Sequence, residues 1–264
     1  MNLKNTTITD TAYEVEVANS DEDLSKVQRL RYDVFVTELG GDGPAVDHVR
    51  RLERDQYDVH ATHLILRDLR RRAEQNVVGV YRLMDVLAAN AAGQFYCEDE
   101  YDLAPLRASG ERLLELGRAC LHPDYRGGTA LLHLWQALSD YVMSHQIDVL
   151  FGVASFRGTD LLAKSAQLSL LYHRYRAPER YRVSAIGPTA TAMNLLPPDD
   201  IDRAQAMRDM PPLIKAYLRL GGVVGDGAFI DHAFNTTDIC MILPTASVAN
   251  AKRQRLGMGP TPRG

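Results

Sequence analysis

Lysine is scarce in this chain. Of its 30 basic residues only Lys4, Lys26, Lys164, Lys215 and Lys252 are lysines, and the rest are arginines. A GC-rich genome produces that bias, but arginine is also the side chain suited to fixed, bidentate recognition of carboxylates and phosphates. Cysteine is equally sparse. Cys97, Cys120 and Cys240 make an odd count with no C-x-x-C pair, which argues against a disulfide framework or a zinc ribbon and points to a reducing cytoplasm. Long apolar runs are missing. A stretch such as residues 149–154 falls far short of the roughly 20 residues a membrane-spanning helix needs. The opening MNLKNTTITD has no apolar core behind its lysine, unlike a signal peptide. The eight histidines show no H-E-x-x-H or similar spacing, so no metal is expected. A net charge of -4 disfavours a nucleic-acid partner.

What remains is an ordinary globular composition, 45% hydrophobic and 24% charged over 264 residues. Ser20 followed by Asp21, Glu22 and Asp23 reads as a helix start, with an N-cap and acids in the first turn. Leu24, Val27, Leu30, Val34 and Phe35 continue it as one apolar stripe. Arg31 falls inside that stripe. An arginine there either snorkels or needs an anionic partner. Residues 62–68 and 77–84 read as an antiparallel hairpin, and residues 113–121 as a third strand. A long amphipathic helix is expected over 129–146, a buried strand over 148–154 and a helix over 161–175. Further strands are expected at 181–186, 228–234 and 238–243, with short helices at the proline pairs between them. The order gives an α/β (α+β) fold, a mixed central sheet flanked by helices with extra C-terminal strands and helices. Residues 1–20 read as an N-terminal extension, 21–245 as one domain and 246–264 as a flexible basic tail.

The central strand-loop-helix carries the first resemblance. His122-Pro123-Asp124-Tyr125-Arg126-Gly127-Gly128 followed by an apolar helix resembles the Gcn5-related acyltransferases. In that superfamily such a loop cradles the pantetheine arm and pyrophosphate of coenzyme A at a helix N-terminus. Here the loop is shortened to Arg126, Gly127, Gly128, Thr129 and Ala130. A pantetheine donor without pyrophosphate, an acyl carrier protein, needs less of a cradle. On the preceding strand Glu115 is a candidate general base. Glu115 and Arg118 alternate to opposite faces of a regular strand, and a bulge at Gly117 would turn both toward one site.

Arg31-Tyr32-Asp33-Val34-Phe35, Glu53-Arg54-Asp55-Gln56-Tyr57-Asp58, Val78-Gly79-Val80-Tyr81-Arg82-Leu83 and Glu115-Leu116-Gly117-Arg118 together resemble the signatures of acyl-homoserine-lactone synthases. The tryptophan that follows the first helix in those enzymes is absent. The block from Pro211 to Leu243, with LRYDVFVTELG and ELGRACLHPDYR, resembles the ornithine N-acyltransferases that begin ornithine-lipid synthesis. That resemblance implies transfer of a 3-hydroxy fatty acyl group from acyl carrier protein to the α-amine of ornithine, or of glutamine in some relatives, with no bound cofactor. It implies Glu115 as base and Arg31 or Arg118 on an anionic group of substrate or donor. Asp55, Asp58 or Asp238 would receive a cationic side chain, with Asn235 nearby and Phe35 beside the substrates. Arg126, Gly127, Gly128 and Thr129 would hold the pantetheine. Docking of the acidic carrier would fall to Arg70, Arg71 and Arg72 or to Arg174, Arg176 and Arg180. Release of a lipid product implies peripheral contact with the inner face of the cytoplasmic membrane.

Two other motifs compete. His63-x-x-x-x-Asp68 matches the H-x4-D string of glycerolipid acyltransferases, but its two residues fall on opposite faces of a strand. The Gly222 to Gly227 run follows a helix rather than a strand, which disfavours a dinucleotide site.

Overall fold

The computed structural model describes residues 12–248. They divide into two compact units. The first takes the chain up to Gln94 together with Leu116–Gln146. The second takes Phe95–Glu115 and the chain from Ile147 onward.

In the first unit, strands Tyr13–Val17, Thr62–Asp68 and Val77–Asp85 lie side by side with the 116–121 part of the strand Leu113–Leu121. The expected hairpin is present and antiparallel, with Ile65 opposite Val80 and Leu66 opposite Gly79. The Tyr13–Val17 strand falls in the segment expected to be an extension, where it pairs antiparallel with Thr62–Asp68. Its alternation of Tyr13, Val15 and Val17 with acids was the available signal.

Helix Asp21–Arg31 starts as expected, with Ser20 Oγ accepting the Asp23 N–H at 3.1 Å. It then widens into a π-helix over Tyr32–Glu38. Its Val27, Leu30 and Val34 bury against Ile65, Val77, Val80 and Cys120, with Phe35 packed at the margin. Burial pushes the Cys120 thiol up to about 12. Helix Ala130–Ser144 turns Ala130, Leu134, Leu138 and Tyr141 inward. A Cβ on Gly79 would meet Leu121 at 2.6 Å and Leu134 at 2.9 Å, so this helix approaches the face carrying Gly79. Neighbouring strand residues point to opposite faces, so the two helices cover the two sides of the hairpin.

In the second unit, Leu113–Glu115 pair parallel with Val149–Phe151. The strand Val149–Arg157 then pairs antiparallel along its whole length with Thr236–Pro244. Ala228–Asp231 and Ala190–Thr191 extend the sheet beyond that strand. The unit is thus mixed in strand direction, and helix Ser165–Tyr175 packs with Arg203–Asp209.

One expectation needs correction. The strand expected at 181–186 is a 3-10 turn over Glu179–Tyr181 followed by only Ser184–Ala185. Pro178 explains this, because its fixed φ favours a turn and its carbonyl accepts the Tyr181 N–H at 2.9 Å. Residues 245–248 are helical, with Ser247 beside Gly221; residues 249–264 of the segment read as a tail lie outside the described residues. The Gly222 to Gly227 run serves close packing. A Cβ on Gly225 would stand 2.7 Å from Val183 Cγ2.

Candidate active site

The stripe that carries Arg31 inward ends in a closed charge network inside the first unit. Arg31 is wholly buried, at 0% exposure. Its Nε donates to Glu53 Oε2, and its Nη1 donates to Asp58 Oδ1 at 2.6 Å. Arg82 Nη1 reaches both oxygens of Asp55, at 2.6 and 2.7 Å, and Asp58 Oδ1 at 3.0 Å. Arg118 Nε lies 3.1 Å from Glu53 Oε1, and its Nη2 lies 3.2 Å from Asp55 Oδ2. Gln28 Nε2 donates to Asp58 Oδ2 at 3.0 Å. Three guanidinium groups thus meet three carboxylates, which is what allows so many charges to leave water. Only Arg118 and Asp55, each with 12% of the side chain exposed, reach its edge.

The electrostatics follow from that pairing. Burial alone would raise the Asp58 carboxyl, but the Arg31 and Arg82 guanidiniums outweigh it and hold it well below the usual range. Asp55 is lowered against burial in the same way by Arg82 and Arg118. His63 approaches the Asp58 carbonyl with Nε2 at 3.0 Å, and burial pushes its imidazole below the ordinary value. Asp68, five residues on, belongs to a separate network with Arg70 and with Tyr125, whose hydroxyl donates to Asp68 Oδ2 at 2.6 Å. The H-x4-D string is therefore split between two structural networks.

Arg118 takes a left-handed backbone, φ 49. The strand is irregular one residue after the Gly117 where a bulge was expected. Beyond that strand, Arg126 is held at both guanidinium ends by Glu38, at 2.6 and 2.7 Å. Gly127 is left-handed at φ 77, while Gly128 and Thr129 are exposed. The 15-residue helix that follows has no side-chain N-cap, so its first-turn N–H groups face the loop.

Of the candidate docking arginines, Arg70 and Arg71 lie over the rings of Tyr13 and Tyr125, and Arg72 is exposed. Arg176 and Arg180 lie over Tyr172 and Tyr181, and Arg174 is exposed.

The second unit holds the other predicted residues. Glu115 is 3% exposed, and its two oxygens accept the Tyr96 and Cys97 N–H groups at 2.9 and 2.8 Å. Burial pushes the Cys97 thiol well up, reinforced by hydrogen bonding with Cys240 and by the Glu115 charge. Asp238 joins Glu100 and Asp231 in a cluster to which each contributes one carboxylate oxygen lying within 4.8 Å of the other two. Asn235 is exposed and left-handed at φ 52, and its carbonyl accepts the Gly158 N–H at 2.7 Å, which marks it as a turn residue. Three hard carboxylates suit an ammonium group or a divalent cation. Glu53 and Arg82 were present in the family motifs and His63 in the H-x4-D string, whereas Glu100 stood in none of the family motifs and Asp231 only within the long Pro211 to Leu243 block.

The acetyltransferase (GNAT) domain model matches residues 30–136. An L-ornithine N(alpha)-acyltransferase of Rhodobacter capsulatus is 50% identical over 245 residues, 92% of this chain and 94% of its own. One of Brucella abortus is 42% identical over 241 residues, 90% of this chain and 86% of its own. Among solved structures, FeeM, an N-acyl amino acid synthase from uncultured soil microbes, has a TM-score of 0.49 at 12% identity, covering 92% of this chain and 94% of that one.

Proposed function

The chain belongs to the L-ornithine N(alpha)-acyltransferase family, and on that premise we propose that it transfers a fatty acyl group from a thioester to the α-amine of ornithine, the first step of ornithine-lipid synthesis. The observation that carries this reading is the 50% identity sustained over 92% of the chain. The decisive test is mass spectrometry of lipids from a bacterial host that lacks ornithine lipids and expresses the protein. A new lyso-ornithine lipid is expected. Its absence, or a glutamine head group in its place, overturns the assignment.

The chemistry needs a neutral amine. The α-ammonium gives up a proton, its nitrogen attacks the thioester carbonyl, the C–S bond breaks and the leaving thiolate takes a proton. Glu115 is the proposed carrier of that proton, direct or through water. It is buried and fixed by two backbone N–H groups. In the first unit, Arg118 at the edge of the charge network is proposed to meet an anionic group of the donor. Glu53 and Asp55 hold it in place, with Phe35 offering apolar surface to the acyl chain. In the second unit, Asp238 with Glu100 and Asp231 is proposed to receive the cationic end of ornithine.

The donor we infer is acyl carrier protein, with a 3-hydroxyacyl chain. In the shortened loop Arg126 is engaged by Glu38, which leaves the backbone N–H groups of Gly127, Gly128 and Thr129 and the helix N-terminus for a single phosphate. Turnover with acyl carrier protein is expected to exceed that with acyl-coenzyme A and to fall with salt. Equal efficiency and no salt dependence overturn this choice. Among the described residues no helix is long and apolar enough to cross a membrane. Work in the cytoplasm, with peripheral contact at the membrane face, fits a lipid product.

A further inference from the structure

Direct contacts join the loop Arg126 to Thr129 to one of the two arginine patches. Residues 69–76 form the turn of the hairpin and contain Arg70, Arg71 and Arg72. The turn lies against the strand Tyr13–Val17, where the Leu69 N–H donates to the Ala12 carbonyl at 2.9 Å. The Arg70 guanidinium stands 5.4 Å over the Tyr13 ring, and that of Arg71 stands 5.8 Å over the Tyr125 ring. The two rings meet edge to face at 6.1 Å. Tyr13 also packs on His133, 5.2 Å away at the start of helix Ala130–Ser144. Tyr125 closes the 3-10 turn Pro123–Tyr125, and Arg126 alone separates it from Gly127. Two residues span at most about 7 Å, so the loop begins within a side chain's reach of the ring that Arg71 covers. All of these residues belong to the first unit.

The face is basic, and its base is fixed. Asp68, 3% exposed, accepts Arg70 Nε at 2.8 Å and Arg70 Nη2 at 2.9 Å, and it accepts the Tyr125 hydroxyl as well. One buried carboxylate thus ties the arginine turn to the residue that leads into the loop. Arg71 and Arg72 form no salt bridge among the described residues. Glu74 is the acid of the turn, and Asp124 on the loop side is turned to His122 at 3.6 Å. Leu69 and Leu132, 53% and 61% exposed, add apolar surface beside Arg70 and His133. The other patch lies in the second unit, where Arg176 is engaged by Asp226 at 3.4 Å. The phosphate of a carrier's arm is esterified to a serine on the carrier's own surface. A phosphate at Gly127 to Thr129 therefore brings that acidic surface against whatever borders the loop, and Tyr125 makes the arginine turn its neighbour. We propose that acyl carrier protein docks on the face formed by Arg70, Arg71, Arg72, Tyr13 and Tyr125. The proposal rests on the carrier-protein reading of the donor and adds the place where the carrier sits.

The test is the double charge reversal Arg71→Glu with Arg72→Glu, assayed with acyl carrier protein as donor and ornithine at saturation. The KM for the donor should rise about 10- to 100-fold, within the range of electrostatic steering, while the KM for ornithine stays put. The salt dependence of kcat/KM should flatten, because the reversed charges no longer attract the carrier. Arg174→Glu with Arg180→Glu should change the donor KM far less. An unchanged donor KM in a folded Arg71→Glu, Arg72→Glu protein overturns the proposal, and so does a larger rise from the reversal at Arg174 and Arg180. A reversal that spares the donor KM but weakens binding to phosphatidylglycerol vesicles also overturns it, and gives the face to the membrane. If the unmodified protein uses acyl-coenzyme A as well as acyl carrier protein, with no salt dependence, it is the donor reading itself that falls. Should the reversed protein not fold, Arg71→Gln with Arg72→Gln removes the two charges without adding acids. Its donor KM should rise in the same direction, and an unchanged one overturns the proposal.

Discussion

Arg31 Nη1 and Asp58 Oδ1 stand 2.6 Å apart, and neither side chain has a route to water. Each is therefore the condition for burying the other. Glu53, Arg82 and Gln28 extend the same dependence, so Arg31 and Asp58 are held deep within the network.

Breaking this pair is expected to cost stability. Arg31→Met and Asp58→Asn should each lower unfolding free energy by about 3–5 kcal/mol, because each strands a buried charge. Arg31→Lys should rescue little, since lysine lacks the planar fork that spans Glu53 and Asp58. Urea unfolding checks this. A loss under about 1 kcal/mol, the range of an exposed pair, would place Arg31 outside the core network.

His63 predicts a pH window. Burial depresses its native pKa below the unfolded value near 6.5. The unfolded chain therefore takes up a proton that the native site refuses. Stability from this group is complete above pH ~6.5 and falls as pH drops below it, by at most about 1.4 kcal/mol per pH unit. His63→Gln should flatten that slope in urea midpoints measured across pH. Asp55 and Asp58, whose pKa values are lowered, keep their contribution above pH ~4 and lose it only in more acid solution. The two windows should separate cleanly.

Glu115→Gln should cut turnover by about 10²- to 10⁴-fold, the range for a positioned acid-base group. It should also lower the melting temperature, because one of the oxygens facing the Tyr96 and Cys97 N–H groups becomes an amide NH₂. Turnover that survives in a folded Glu115→Gln protein would move the proton acceptor elsewhere.

Asp238→Asn should reduce use of ornithine far more than use of glutamine, since the loss falls on a cationic side chain. EDTA should leave turnover unchanged if the cluster with Glu100 and Asp231 receives an ammonium. Equal losses on both acceptors, or inhibition by EDTA reversed by a divalent metal, would contradict that role.

Local elements were legible where chemistry is local. Ser20 capped its helix, and the antiparallel hairpin followed from two apolar strands and a polar turn. The interior position of Arg31 was legible from the apolar stripe, but its partner was not. Glu53 and Asp58 lie 22 and 27 residues away along the chain, and pairing at that separation leaves no periodic trace. Glu100 and Asp231 were hidden for the same reason, because only folding brings them to Asp238. The π-helix escaped because a widened turn preserves composition and changes only which carbonyl accepts each N–H.

Neither compact unit is a single run of chain. The first needs Leu116–Gln146 in addition to everything before residue 95, and the second is begun at Phe95 but resumed only at Ile147. On the ribosome, residues 95–115 emerge before the first unit has its full complement, and they then wait for Val149–Phe151 before their parallel partner exists. Domain-by-domain maturation from the N-terminus, the usual economy of longer chains, is closed to this one until residue 146 has been made. A truncation at residue 94 removes a strand and a helix of the first unit along with the second, so separating the units requires a cut-and-rejoined chain rather than a stop codon.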